Sequence, residues 1–346
     1  MTTDPADGLA VQAPESQPSA PALAASPRTY RHLLHAGMSR GSLIVAWIAL
    51  IGLFTAIEPR VFFTGGTFAV IFGSQQALVF LAMAALCAFT VGEFDLSIAS
   101  NLGLAGVLVP VLAAEHHVNV AAANVIAVAV CVGVGAVNAL VIVGLGIDAI
   151  VTTLGMATLL SGLTLDISGS TQVSGLTARA AVIANTEVLG LPVTFYYGIA
   201  IAIAFWYVLR FTALGRHMMF VGANRAVARL AGVRVTRIRV GAYLCSGLLA
   251  GLGGAILVDG LGGFDPSTPP AYLLPALAAA FLGTAVIEPG RFNPFGTLVA
   301  IYFLVTGVVG LQLLGYTGWV SDVFYGAALI TALIFSSVAR QRLRRR

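Results

Sequence analysis

The chain has 346 residues, of which 58% are hydrophobic and 9% charged, with a mean hydropathy of +0.95. A soluble domain carries roughly 25% charged residues, so this composition excludes a large-core soluble enzyme and describes a polytopic membrane protein. The net charge of +4 comes from arginine alone, since the chain has no lysine. Those arginines cluster at Arg28–Arg40, in a central loop and at Arg340–Arg346, a pattern that describes topology and not nucleic-acid binding.

Residues 1–40 are rich in Ala, Pro, Ser and Asp and lack the order of a cleaved signal peptide. They read as a disordered cytoplasmic tail. The transmembrane domain then covers 41–340, with 341–346 as a basic cytoplasmic tail. Ten apolar segments follow one another, at about 42–57, 68–91, 96–114, 120–144, 150–166, 193–211, 240–259, 271–287, 294–314 and 319–338. Each is near the ~20 residues that a helix needs to cross a bilayer. An even count with the N-terminus inside places the central loop 212–239 and the C-terminal arginines in the cytoplasm, where Lys/Arg excess belongs. The expected fold is therefore an all-α, multi-pass bundle of about ten spans in the cytoplasmic membrane, with both termini cytoplasmic.

The first motif interrupts two apolar runs: Val91-Gly-Glu-Phe-Asp-Leu-Ser-Ile-Ala-Ser100. Carboxylates within a membrane domain are costly and mark function or a helix end. Gly92 permits a break, and Asp95 is placed to cap the next helix. A break inside the bilayer has to line a cavity; a tight cytoplasmic turn is the plainer alternative. The second motif runs from Asn138 to Met156, with Asn138, Thr152 and Thr153 in apolar surroundings. These side chains serve either helix–helix hydrogen bonding, at roughly 0.6 kcal/mol each, or the lining of a path for a hydroxylated solute.

The third motif is the central stretch 212–239, with six arginines and no acidic residue. Asn224 is a good N-cap and Gly232 a good helix end, so Arg225–Ala231 predicts about two turns. Val227, Leu230 and Ala231 share one face, and Arg225 and Arg229 another. Two turns are not stable alone in water, so this helix docks on something: anionic lipid, or a groove in a partner protein. After it, Gly247, Gly251 and Gly254 give one nearly flat helix face, which suits close helix packing. The fourth motif, from Phe281 to Thr297, contains a Pro289-Gly290 turn.

Cys87, Cys131 and Cys245 lie inside the spans without metal spacing and read as packing residues. His116-His117 has no spaced third ligand. No nucleophile–base pair stands out, and no P-loop exists. The chain is thus read as no enzyme, with no catalytic residue, metal or cofactor.

The segment GRHMMFVGANRAVARLAGVRVTRIRVGAYLCSGLLAGLGGAIL resembles the corresponding part of ribose-type ABC importer permeases. The likeness extends over about 68–338. Asp95, Leu96 and Ser97 match that family's Asp-Leu-Ser. Asn138 and the Thr-Leu-Gly-Met run match its second segment, and Gly283, Thr284, Gly290, Arg291, Gly296 and Thr297 match its fourth. The chain departs from it at Glu93, where glycine is usual, and at Ala99, Asp148, Ala149, Glu288, Pro289, Asn293 and Pro294. The resemblance implies a permease subunit that passes a small polar solute, by family default a monosaccharide, through alternating access. It also implies as partners a separate cytoplasmic ATPase, an extracytoplasmic solute-binding protein and a second permease copy or related chain. Gly222, Asn224, Arg225, Val227, Arg229, Leu230 and Gly232 would form the helix that couples to the ATPase. Glu93, Asp95, Ser97, Asn138, Thr152 and Thr153 are the candidates for the solute pathway or gate. The rival reading is an ion-coupled secondary transporter using Glu93, Asp95 or Asp148.

Overall fold

A computed structural model describes residues 28–176, 182, 186–288 and 290–344, with side chains between Gly41 and Ile334. By its internal contacts the chain divides into Met1–Met38 and Ser39–Arg346, and the helical bundle lies in the second unit. In chain order the helices are α1 (Arg28–Ile57), α2 (Gly65–Gly73), α3 (Gln76–Thr90), α4 (Ile98–Pro110), α5 (Val120–Ala139) and α6 (Ala149–Ile167). Then follow α7 (Val193–Phe211), α8 (Ala213–Ala223), α9 (Arg225–Leu230), α10 (Val235–Leu261), α11 (Pro270–Gly283), α12 (Pro294–Leu313) and α13 (Trp319–Arg344).

Among the described residues, seven helical stretches are long and apolar enough to cross a membrane: 65–90, 98–115, 120–144, 149–167, 193–211, 235–261 and 294–313. Three further apolar helices, Gly41–Ile57, Pro270–Gly283 and Trp319–Ile334, are shorter. The expected tail lies outside the described residues up to position 27. Helix α1 starts at Arg28, so residues 28–40 of the expected tail are helical. The segment from Arg28 to Arg40 contains no proline and only one glycine, so nothing in it stops a helix. The C-terminal basic stretch likewise continues α13 as far as Arg344. The all-helical expectation needs one addition, two short antiparallel ladders: β1 (Val173–Ser174) with β4 (Gly263–Phe264), and β2 (Glu187–Val188) with β3 (Leu191–Pro192).

The core forms where small residues let backbones meet. Helix α10 packs against α3, α4 and α5 at once. Its glycine face is the reason: a Cβ on Gly254 would collide with the Leu102 carbonyl of α4, and one on Gly247 with the Cys131 carbonyl of α5. A β-carbon at either position would push the helices apart. Cys87 of α3 meets Cys245 of α10 with sulfurs 3.3 Å apart, and Cys131 donates to the Asn101 carbonyl. Both contacts agree with a packing role. On the other side, Trp47 of α1 donates to Thr306 of α12 at 2.9 Å, within a cluster of Phe72, Phe195 and Tyr302 rings.

Candidate functional site

The carboxylate-bearing break, the α5–α6 turn and the arginine-rich segment meet at one end of the bundle. Helix α3 stops because Gly92 takes φ +73°. The Glu93 amide then reaches back to the Ala88 carbonyl and the Gly92 amide to Phe89, both at 3.0 Å. This pair of bonds is the Schellman closure that a glycine at C′ permits. The chain stays irregular until α4 begins at Ile98. An irregular backbone in this setting needs partners for its polar groups; three other helices provide them, and a fourth bonds a side chain of the break. Thr153 of α6 accepts from the Leu96 amide at 3.1 Å. Tyr243 of α10 donates to the Phe94 carbonyl at 3.3 Å. Arg225 of α9 donates to the Gly92 carbonyl at 2.7 Å. The fourth, α5, enters through Asn138, which bonds to a side chain of the break.

Two carboxylates of the break have different environments. Asp95 is buried and wholly hydrogen-bonded. Its Oδ1 accepts from the Ser97 amide at 3.1 Å and the Ser97 hydroxyl at 2.6 Å, and its Oδ2 from the Ser246 hydroxyl at 2.7 Å. Burial pushes the Asp95 carboxyl above the usual carboxylate range, and the bonds from Ser97 and Ser246 pull it back. Asn138 then donates to the Ser97 hydroxyl at 2.9 Å, so α4, α5 and α10 are tied through one network. Glu93, with 4% of its side chain exposed, faces arginine instead. Arg225 Nη2 lies 2.9 Å from its Oε1, and Arg239 Nε donates to the same oxygen. Tyr243 donates to its Oε2 at 3.4 Å.

Helix α9 carries the geometry that its sequence predicts. Asn224 Oδ1 accepts from the Ala226 and Val227 amides at 3.0 and 3.1 Å. At the other end Gly232 takes φ +79°, and the Val233 amide closes on the Ala228 carbonyl at 3.0 Å. Ala228 is fully buried against the bundle, whereas Val227 is 47% and Leu230 89% exposed. Arg229 is also exposed. Gly222, at the end of α8, allows this segment to approach the break, since a Cβ there would strike the Thr90 carbonyl. A cleft of about 440 Å³ opens beside these groups, with Glu93, Asp148, Arg225 and Arg239 in its lining. Asp148 caps α6, accepting from the Ile150 and Val151 amides at 2.9 and 3.1 Å.

The fourth motif closes the same end. Asn293 caps α12 by accepting from the Gly296 amide at 2.6 Å, and its Nδ2 donates to the carbonyls of Gly283 and Val286. A departure from the family pattern thus has a structural role. Gly290 takes φ +81°; Pro289, its expected turn partner, lies outside the described residues. Phe281 and Phe292 reach the break through Phe89, with ring centroids 4.9 and 5.1 Å apart.

Of the residues singled out in the sequence, Glu93, Asp95, Ser97, Asn138, Thr153 and Arg225 are brought together. Thr152 is not: its hydroxyl bonds back to the Asp148 carbonyl of its own helix. Sequence reading passed over Tyr243 and Ser246, and counted Arg239 only as a loop charge. Their signal was present, because 239, 243 and 246 fall at i, i+4 and i+7 on one helix face, and that face meets the break. Among the described residues no cluster of His, Cys, Asp and Glu could hold a metal ion.

A family model described as "branched-chain amino acid transport system / permease component" matches residues 69–333. The chain is 30% identical over 305 residues to the autoinducer 2 import system permease protein LsrC of Enterobacter sp. (strain 638), covering 88% of each chain. It is 31% identical over 304 residues to the protein of that name from Klebsiella pneumoniae subsp. pneumoniae, again covering 88% of each. It is 29% identical over 311 residues to the ribose import permease protein RbsC of Escherichia coli (strain K12), covering 88% of this chain and 95% of that one. No solved structure matches the chain.

Proposed function

The chain belongs to the permease family described as a branched-chain amino acid transport system component, within its ribose-type ABC importer members, and on that premise we propose that it is driven by a separate ATPase docked on α9. Its family and the seven long apolar helical stretches among the described residues make it a multi-pass inner-membrane protein. Its relatives are permease subunits of ribose and autoinducer 2 importers, not enzymes. In the proposed cycle, an extracytoplasmic binding protein delivers a small polar solute, a monosaccharide in the first instance. The solute passes between this chain and a second permease copy or related chain by alternating access. The arginine-rich end faces the cytoplasm, as arginine excess requires.

The observation that carries this reading is the two-sided burial of α9. A capped two-turn helix is seated on the bundle through Ala228, and it presents Leu230 and Val227 outward. Isolated apolar side chains on a surface are ordinary. Here two of them, at i and i+3, sit together on the outward face of a helix whose other face is seated on the bundle. An apolar face of this kind fits a groove on a partner better than it fits lipid head groups, which attract the arginines but not leucine.

Asp95, Ser97, Asn138 and Thr153 take the role of holding the break in shape, since each is buried and bonded to the others' segments. The ion-coupled alternative loses support at Glu93 and Asp95 from the same geometry. Glu93 has both oxygens engaged by Arg225, Arg239 and Tyr243, and Asp95 both by Ser97 and Ser246. Neither offers a free oxygen to a travelling ion. The direct test is affinity capture from membranes with wild type and Leu230→Asp. Wild type should recover an ATP-binding subunit and the variant should not, with uptake lost in parallel. Capture and uptake unchanged in Leu230→Asp would end this reading.

A further inference from the structure

We infer that Glu93 is a positioning residue that ties the docking helix to the broken segment and carries movement between them; this rests on the docking role given to α9. Three observations lead there. First, one carboxylate joins both ends of the arginine-rich turn: Arg225 opens α9 and Arg239 lies in the first turns of α10, and both meet Glu93 Oε1. Second, the same Arg225 holds the Gly92 carbonyl, so its guanidinium spans the end of α3 and the break. Third, the exposures are graded. The side chain of Arg225 is 41% exposed, that of Arg239 17% and that of Glu93 4%. The cluster therefore runs from the surface beside the docking face into the packed bundle.

The physical consequence is direction. Van der Waals contact transmits a push but resists a pull only weakly. A charge-assisted pair with hydrogen-bond geometry resists both, and more so where water is partly excluded. Load applied at Val227 and Leu230 passes through the short, capped α9 to Arg225, then to Glu93 and the residues 91–97. Tyr243 and Arg239 anchor the same carboxylate to α10. The break and α10 must then move with α9 rather than past it.

The test uses the assembled importer in proteoliposomes, with the captured ATPase and binding protein. Two variants separate positioning from folding. Arg225→Met cuts the link on the docking side and leaves Glu93 paired with Arg239. The triple variant Glu93→Leu, Arg225→Met, Arg239→Met removes every charge of the cluster, so no buried charge is left unpaired. Both should still capture the ATPase, because Val227 and Leu230 are untouched. Both should lose stimulation of ATP hydrolysis by loaded binding protein and lower solute uptake at least tenfold. Wild-type uptake and stimulation in Arg225→Met would overturn the inference. So would loss of ATPase capture in that variant, which would make the cluster part of the docking surface itself. If wild type shows no ATP-dependent uptake at all, the importer reading fails instead, and that outcome is distinct from both.

Discussion

The stretch 98–115, which begins with α4, and the stretch 149–167, which is α6, have the same mean hydropathy, 1.6, over their most apolar windows, yet 72% of the first window is buried in the bundle and 17% of the second. The difference lies in what the apolar residues are. Helix α4 reads IASNLGLAGVLVP, with small residues on every side, and it is surrounded by α5, α6, α10 and α11. Helix α6 reads AIVTTLGMATLLSGLTLDI and turns Val151, Leu154, Leu159 and Leu163 outward. Its glycines at 155 and 162 face open space, whereas Gly103 and Gly106 of α4 sit against Pro269 and Phe264. In a membrane, apolarity does not separate interior from lipid face, since lipid is as apolar as leucine; close approach does.

The comparison can be broken most sharply with bulk. Gly254→Leu, which forces a side chain into the α4 backbone, should cost about 3 kcal/mol or more and abolish a monodisperse protein in detergent. Gly155→Leu on α6 should leave thermal unfolding unchanged. Polar groups give the next test. Asp95→Ala strands three donors, the Ser97 amide and hydroxyl and the Ser246 hydroxyl, and should cost about 2 kcal/mol at roughly 0.6 kcal/mol for each bond. Asn138→Ala, which removes one bond to Ser97, should cost nearer ~0.6 kcal/mol. Among the polar substitutions, the smallest effect belongs to Thr158→Val. That hydroxyl bonds only to the Leu154 carbonyl of its own helix, and the change should stay within ~0.5 kcal/mol. A Thr158 effect equal to that of Asp95 would mean that α6 is packed against a neighbour as closely as α4 is.

Much of the local structure was legible because it depends on residues close in the chain. Asn224 and Gly232 bracket α9 through their own backbone preferences, and Gly92 ends α3 in the same way. The long helices followed from their apolar runs. Three features were not legible from local pattern. Helix α8 was read as part of a polar loop, because arginine and histidine interrupt its apolar residues; Thr212 caps it by accepting from the Gly215 amide. Glu93 stood out as a departure, but its partner depended on how α10 returns beside α3, which no local periodicity encodes. The third is the split between α2 and α3 at Ser74 and Gln75, inside a stretch that reads as one apolar run.

Helix α10 has 27 residues, which makes it about 40 Å long at 1.5 Å per residue. One end carries Arg239 and the other runs into Gly263, which pairs with Ser174 in the β1–β4 ladder. Unbroken along its length, it behaves as a lever with a load at each end. A tilt of one degree about one end displaces the other by roughly 0.7 Å over that length. A two-rung ladder tolerates little of that before its hydrogen bonds open. A tilt of a few degrees about the arginine-rich end would therefore carry Gly263 and Phe264 by an ångström or two, which links the ladder that holds Val173 and Ser174 to movement at Arg239.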